Sequence, residues 1–170
     1  MSKSSQHNAI ANTTSDELYL HETRQTITLH FNHNALQSVM RKSEPYGLEF
    51  EYTKVMMGFM LFMPEPKNIL LVGLGGGSMS KFCHHHFPET LVTTVEISRE
   101  VINMRQTFMI PANNDFFKVI EADGAKYLHN KQNISDVILL DGYNGDGLPD
   151  VLCSEQFYAD CYNSLRDNGI

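Results

Sequence analysis

The chain has 170 residues, of which 42% are hydrophobic and 19% charged, and its formal net charge at pH 7 is −7. A chain of this length can bury roughly two-thirds of its unfolded surface, which excludes disorder over the whole length. Twenty Asp and Glu against 13 Lys and Arg, with no basic cluster, argue against nucleic acid as a partner.

The apolar segments argue against a membrane partner. The longest apolar run, residues 55–63, is interrupted by Gly58 and followed by Pro64, whereas a transmembrane helix needs about 20 apolar residues. Residues 1–16 are polar and lack the apolar core of a signal peptide. We therefore expect a cytoplasmic protein. Three cysteines without a C-x-x-C spacing predict neither a disulfide framework nor a thiolate zinc site.

The first part of the chain predicts a tail followed by a hairpin. Residues 1–16 are rich in Ser, Asn and Thr and show no hydrophobic period, which predicts a flexible tail. Residues 26–31 alternate polar and apolar side chains, residues 32–34 are typical of a turn, and residues 35–40 can form the returning strand. This pattern predicts a β-hairpin.

A helix is predicted next, after the chain-breaking residues Pro45 and Gly47. Residues 48–62 carry apolar side chains at helical spacing, which predicts a buried amphipathic helix. Its predicted buried face consists of Tyr52, Val55, Met56, Phe59, Met60 and Met63. Residues 17–66 therefore form a predicted N-terminal region made of a hairpin and a helix.

The remaining residues, 67–170, alternate between strand and helix patterns. Continuous apolar runs, typical of strands buried on both faces of a parallel sheet, occupy residues 68–72, 91–97, 116–120 and 136–140. Helical patterns follow them at residues 79–86, 99–108, 122–129 and 154–165. The alternation predicts an α/β fold with a Rossmann-like, doubly wound parallel sheet. Because Gly169 resembles a helix cap and Ile170 the start of another strand, we expect this sheet either to be truncated at its C-terminal end or to be completed by a partner chain.

The clearest motif is a glycine-rich loop at the end of the first strand of this region. Residues 73–77 read Gly-Leu-Gly-Gly-Gly and open a helix. Glycines let the backbone turn sharply and approach a ligand, and the helix N-terminus offers free N–H donors. Glu96 ends the next strand, 23 residues after Gly73, a distance typical of a carboxylate that binds the hydroxyls of a ribose.

Two further carboxylates follow the next strands. Asp123 precedes Gly124 at the end of the third strand, where it can accept a hydrogen bond from an adenine amino group, and Asp141 ends the fourth. Taken singly, Glu96 and Asp123 are better explained as helix caps or surface acids. Together with the glycine loop they predict a nucleoside site. A nicotinamide dinucleotide fits less well, because the third glycine of G-x-G-x-x-G falls at Ser78.

At these motifs the sequence resembles the spermidine synthase family, the polyamine aminopropyltransferases, and more widely the S-adenosylmethionine-dependent methyltransferases. The resemblance extends over about residues 24–170. It implies a Rossmann-like domain of the methyltransferase type with a small N-terminal β-region, and a homodimer. It also implies polyamine biosynthesis: transfer of an aminopropyl group from decarboxylated S-adenosylmethionine, or use of S-adenosylmethionine itself, with a small-molecule amine as acceptor and no metal.

The resemblance assigns roles to residues by position. Asp141 corresponds to the catalytic residue that accepts a proton from the attacking amine. The residues implied to bind the donor are Gln25, Gln37, Gly73, Gly75, Gly77, Glu96, Ile97, Asp123 and Gly124. The loop after Asp141 is predicted to contact the acceptor through Tyr143, Asn144 and Asp146.

Departures from the family pattern leave two alternatives open. Lys54, Gly76 and Asn144 occupy positions that are acidic in the family, and each missing acid is a missing counter-ion for a cationic amine. The alternatives are a methyltransferase that uses intact S-adenosylmethionine and a nucleoside-binding or structural paralogue without turnover. No metal is expected at His84, His85 and His86, because consecutive helical side chains point in different directions.

Overall fold

Two sheets form the framework of the structure, a computed structural model that describes residues 8–9, 18–31, 35–145 and 147–170. Within these residues the first sheet is antiparallel and the second parallel, each with four strands. The antiparallel sheet has the strand order β1-β2-β3-β4. Its strands are β1 (Asn8–Ala9), β2 (Leu18–Glu22), β3 (Thr26–Phe31) and β4 (Ala35–Arg41).

The predicted hairpin is confirmed as β3 and β4. The two strands pair antiparallel from Thr26 opposite Arg41 onward, with a register shift between Leu29 and His30. Strand β2 pairs with the other edge of β3 and was not predicted. Strand β1 lies within the stretch predicted as a flexible tail, and the other residues of that stretch are outside the described ranges.

The predicted helix after the hairpin is shorter and turns a different face to the core. It consists of α1 (Glu51–Met56) and a 3-10 helix at Met57–Leu61. The tighter 3-10 turn changes the angular spacing of the side chains, so one 3.6-residue stripe does not continue through both segments. Tyr52 and Val55, predicted to be buried, are 46% and 77% exposed. The buried side chains of the two segments are Thr53, Met57 and Phe59.

The predicted parallel sheet is confirmed, with the strand order β7-β6-β5-β8. Its strands are β5 (Asn68–Val72), β6 (Leu91–Glu96), β7 (Phe117–Glu121) and β8 (Val137–Leu140). Its helices are α2 (Ser78–His86), α3 (Arg99–Asn103), α4 (Gly124–Leu128) and α5 (Glu155–Ser164). Helix α3 ends five residues earlier than residue 108, the predicted end, and continues as turns.

The strand order places a crevice beside β5. From β5 the chain adds β6 and β7 on one side and then returns to place β8 on the other. Ligands of open α/β sheets bind where the strand order reverses in this way, outside the carboxyl ends of the strands. At the far side of β8, the amide of Ile170 donates to the carbonyl of Asp136 (2.9 Å), and Ile138 donates to the carbonyl of Ile170 (2.8 Å).

One hydrophobic core connects the two sheets. Strand alternation turns Ile69 and Leu71 of β5 to one face of the parallel sheet, where they pack in a cluster with side chains of the antiparallel sheet, including Leu29. Leu70 and Val72 face the opposite side, in a second cluster with α4 and α5. The proposed boundary between residues 66 and 67 thus separates the sheets in sequence, whereas their packing is continuous. Among the described helices, none has the length and apolar character needed to cross a membrane.

Candidate active site

A cleft of about 1310 Å³ opens at the carboxyl ends of the parallel strands. The N-terminal region closes its other side with residues of β4 and α1. A volume of this size is sufficient for a nucleoside together with a small second substrate. The segments that follow the four parallel strands line it at residues 73–75, 96–101, 123–124 and 141–145.

The glycine loop needs glycine where it passes the end of β8. Gly73 has φ +98°, and a Cβ at this residue would lie 2.3 Å from the carbonyl oxygen of Asp141. The loop and the segment after β8 therefore lie so close together that no side chain fits at residue 73. Gly73 and Gly75 line the cleft, whereas Gly77 does not. Gly77 precedes α2 with φ +68°, and a Cβ there would lie 2.6 Å from the side chain of Ile110, so its role is local packing.

Glu96 holds the glycine loop and faces the cleft. Its side chain is buried, with Oε2 accepting from the amide of Leu74 (2.8 Å) and Oε1 from the amide of Ser98 (2.8 Å). A carboxylate has about four acceptor positions, so these two bonds leave capacity for ligand hydroxyls. The neighbouring Ile97 also lines the cleft and is 69% exposed, which offers an apolar surface to a ligand ring.

Asp123 is both a helix cap and a cleft residue. Its Oδ1 accepts from the amides of Ala125 (2.9 Å) and Lys126 (3.3 Å), which is the capping role that the sequence left open. Oδ2 takes no part in this cap and lies 3.7 Å from the ammonium of Lys126. Both Asp123 and Gly124 line the cleft. Asp123 therefore caps α4 and faces the cleft at the same time.

Asp141 and Tyr52 form a polar pair in the cleft. The hydroxyl of Tyr52 donates to Oδ2 of Asp141 over 3.3 Å. Burial raises the pKa of Asp141 to about 6, while the hydrogen bond from Tyr52 acts in the opposite direction. Burial and then the nearby Asp141 carboxylate raise the pKa of the Tyr52 phenol. A carboxyl group that titrates near neutral pH is well suited to accept a proton from a substrate.

Sequence reasoning did not identify Tyr52 as a site residue. The helical period assigned its side chain to the protein core, but it projects from α1 into the cleft. The available signal was its position two residues before Lys54, which stands where the resembled family has an acidic residue. Lys54 itself does not line the cleft, because its ammonium pairs with Glu51 (2.6 Å) on the exposed side of α1. It therefore places no cation in the cleft.

The other predicted residues divide between cleft and periphery. Gln37, Tyr143 and Asn144 line the cleft. Gln25 does not line the cleft. It lies exposed in the turn between β2 and β3, where its backbone amide donates to the Thr23 hydroxyl (3.1 Å). Asp146 lies outside the described residues.

The three consecutive histidines each pack on a different aromatic residue, and the rings of His85 and His86 also contact each other edge-on at 5.0 Å. His85 stacks on Tyr46 with ring centroids 4.4 Å apart, and His86 packs on Phe82 at 4.3 Å. His84 contacts Phe117 at 5.0 Å. Over the described ranges, no group of three or more His, Cys, Asp or Glu side chains is arranged to hold a metal ion.

Comparisons with known proteins identify relatives of this fold and sequence. Residues 49–170 match the family model of the spermine/spermidine synthase domain. The polyamine aminopropyltransferase of Chromobacterium violaceum is 37% identical over 155 residues, which cover 91% of this chain and 59% of the relative. The chain therefore spans 59% of the length of this curated relative.

Two solved structures resemble all or most of the fold. A probable spermidine synthase from Corynebacterium glutamicum superposes with a TM-score of 0.80 at 18% identity, covering 97% of this chain and 61% of that protein. Human methyltransferase-like protein 13 in complex with SAH superposes with a TM-score of 0.62 at 27% identity, covering 71% of this chain and 62% of that protein. The predicted Rossmann-like fold of the methyltransferase type is confirmed.

Proposed function

Since this chain belongs to the spermine/spermidine synthase family, we propose that it transfers an aminopropyl group from decarboxylated S-adenosylmethionine to a small-molecule amine. The observation that carries the proposal is the Tyr52–Asp141 pair, which lines the same cleft as the glycine loop and Glu96. A proton acceptor and a nucleoside-binding loop in one cleft are what this transfer requires.

The donor is proposed to bind along the carboxyl ends of β5, β6 and β7. Glu96 keeps acceptor capacity for ribose hydroxyls, and Oδ2 of Asp123, which lies 3.7 Å from the ammonium of Lys126, is proposed to accept from an adenine amino group. The exposed side chain of Ile97 supports packing on the adenine ring. Gly73 and Gly75 allow the backbone to approach the thioether end, and Gln37 adds a polar contact.

The proposed reaction is a direct displacement. The amine nitrogen attacks the methylene carbon next to the sulfonium, the C–N bond forms as the C–S bond breaks, and the electron pair leaves on the sulfur of methylthioadenosine. The nitrogen gives one proton to the carboxylate of Asp141, which then passes it to solvent. Because the sulfonium is already a good leaving group, catalysis rests mainly on alignment of the two substrates.

The acceptor amine is proposed to lie beside Asp141. Tyr52 orients this carboxylate, and Tyr143 and Asn144 line the adjacent wall of the cleft. The contact of Asp146 with the acceptor stays a prediction from the sequence. The homodimer implied by the family and the cytoplasmic location expected from the apolar pattern of the sequence stay predictions.

A second candidate is methyl transfer from intact S-adenosylmethionine. It is favoured by the likeness to human methyltransferase-like protein 13, whose structure is a complex with SAH. Gly76 also favours it, because the space beside this residue is filled by Ser38 and Phe108, so no acid faces the donor tail from this position. The third possibility, nucleoside binding without turnover, is distinguished by the same experiment.

The experiment has a binding part and a turnover part. Thermal unfolding is measured with methylthioadenosine, decarboxylated S-adenosylmethionine and S-adenosylhomocysteine, because a ligand of the native state raises the midpoint by mass action. The protein is then incubated with each donor and a panel of amines. Release of methylthioadenosine only when an amine is present supports the proposal. Formation of S-adenosylhomocysteine from the intact donor supports the methyltransferase, and binding without either product supports the third possibility.

A further inference from the structure

Strand β4 of the antiparallel sheet contacts the glycine loop through Ser38. The amide of Gly76 donates to the Ser38 hydroxyl over 2.8 Å, and Ser38 is only 8% exposed. The packing is equally close: a Cβ on Gly76 would lie 2.8 Å from Cβ of Ser38, and a Cβ on Gly75 would lie 2.9 Å from its hydroxyl oxygen. Ser38 therefore sets the position of this part of the loop.

Three other amides of the loop are held by the parallel sheet or by the loop itself. Gly73 donates to the carbonyl of Val95 (2.9 Å) and Leu74 to the carboxylate of Glu96 (2.8 Å). Gly77 donates to the carbonyl of Leu74 (2.8 Å). Gly76 differs from these three, because its acceptor comes from the antiparallel sheet. The shape of the loop thus depends on β4.

A second contact fixes β4 beside the helix that the loop opens. Met40 lies two residues after Ser38 and is also buried, and its sulfur accepts from the ammonium of Lys81 in α2 over 3.0 Å. Residues two apart on a strand share one face, so both side chains turn toward the loop and its helix. Ser38 and its neighbour Gln37 also line the cleft.

We propose that Ser38 is a positioning residue for the nucleoside donor, acting through Gly76 to hold the glycine loop in its binding shape. The proposal rests on the function proposed above and makes the antiparallel sheet part of the donor site. Loss of the hydroxyl leaves the buried amide of Gly76 without an acceptor. The loop then relaxes to satisfy this amide, and the donor binds to a less suitable surface.

The test compares variants of Ser38 with a matched serine elsewhere. Ser38→Ala is expected to weaken methylthioadenosine binding and to raise the donor KM, each about tenfold, with kcat within about twofold. Ser38→Thr, which keeps the hydroxyl, is expected to restore affinity, and Ser38→Cys, with a weaker acceptor, to give an intermediate value. Ser164→Ala removes another buried hydroxyl, in α5, which donates to the carbonyl of Lys131, and is expected to leave affinity unchanged.

The outcomes separate this proposal from the proposed function. Wild-type affinity in a folded Ser38→Ala protein overturns the role of Ser38, as does a Ser38→Thr protein that binds as weakly as Ser38→Ala. If Ser38→Ala does not fold, the order of affinity among Ser, Thr and Cys decides the question. A wild-type protein that binds methylthioadenosine but releases none with any amine overturns the proposed function, while the affinity series still tests Ser38. A wild-type protein that does not bind methylthioadenosine overturns both.

Discussion

Tyr52 and Asp141 are 89 residues apart in the sequence, yet the Tyr52 hydroxyl donates to Oδ2 of Asp141 over 3.3 Å. One residue belongs to the N-terminal helix and the other follows the fourth strand of the parallel sheet. The contact gives the Asp141 carboxylate a hydrogen-bond donor from a distant segment of the chain, at a position where burial raises its pKa. It therefore links the pH dependence of the proposed reaction to a residue outside the parallel sheet.

Replacement of Tyr52 by phenylalanine is expected to move the acid limb of activity to higher pH. Asp141 must be ionised to accept a proton, and its pKa is raised to about 6, so wild-type kcat/KM should fall as the pH drops through this value. The bond from Tyr52 lowers that pKa, and its loss raises it further. A pH profile of kcat/KM measures the shift. Tyr162→Phe, at an exposed position of α5, is the control, and an acid limb that stays in place or moves to lower pH contradicts the pairing.

Replacement of Asp141 by asparagine is expected to reduce kcat by about 10²–10³-fold, the usual contribution of a positioned proton acceptor. Affinity for methylthioadenosine should change by less than about threefold, because the asparagine keeps the volume of the side chain. Single-turnover kinetics and calorimetric titration measure the two quantities. Asp115→Asn, at an exposed position, serves as the matched variant. Unchanged turnover in Asp141→Asn would remove this residue from the mechanism.

Substitution of Gly73 by alanine is expected to destabilise the fold by about 2–4 kcal/mol and to abolish donor binding. The new Cβ meets the backbone carbonyl of Asp141 at 2.3 Å, and φ is +98°, so neither a rotamer nor a small side-chain shift relieves it. Gly58→Ala is the control: a Cβ there has no neighbour within 4 Å, and its stability should change by at most about 1 kcal/mol. Denaturant unfolding measures the free energy of unfolding of both variants. A Gly73→Ala protein as stable as the Gly58→Ala protein would show that the loop tolerates the side chain.

Replacement of Lys81 by methionine is expected to stabilise the protein at pH 7. Burial lowers the pKa of Lys81 to about 8 from 10.5, so between these values the unfolded chain binds more protons than the native one. The contribution of Lys81 to the free energy of unfolding therefore rises as the pH increases from 8 to 10.5. Below pH 8 the native state carries a buried ammonium. The advantage of Lys81→Met should shrink as the pH rises from 8 toward 10.

Melting temperatures of both proteins across this pH range measure the effect. The ammonium also donates to the carbonyl of Phe108 over 2.7 Å, and loss of this bond offsets part of the gain. Lys118→Met, on the exposed side of β7, should show no such pH-dependent difference from the wild type. A constant difference between Lys81→Met and wild type at all pH values would contradict the shifted pKa.

The parts of the fold and site that sequence reasoning found are those governed by local pattern and by the geometry of parallel sheets. Continuous apolar runs located the four parallel strands, and the carboxyl-end rule brought Gly73, Glu96, Asp123 and Asp141 to one cleft. These residues follow strands directly, so their placement needs no knowledge of distant contacts.

The parts that were missed depend on contacts between segments far apart in sequence. Ser38 meets Gly76 only because the antiparallel sheet packs beside the glycine loop. Tyr52 was assigned to the core because the change from α to 3-10 helix at Met57 is not visible in a helical period. Gln25 was carried over by position, although the turn that holds it does not line the cleft.

The hydrophobic cluster that contains Leu29 of β3 and Leu71 of β5 has a consequence for how the chain unfolds. Two sheets that share one core exchange between folded and unfolded states cooperatively, so heat or denaturant should melt them in a single transition. A substitution that removes a methyl group from Ile27, a residue of the shared core that does not line the cleft, would therefore lower the population of molecules able to bind a ligand. Binding competence in this chain is a property of the global fold, distributed well beyond the residues of the cleft.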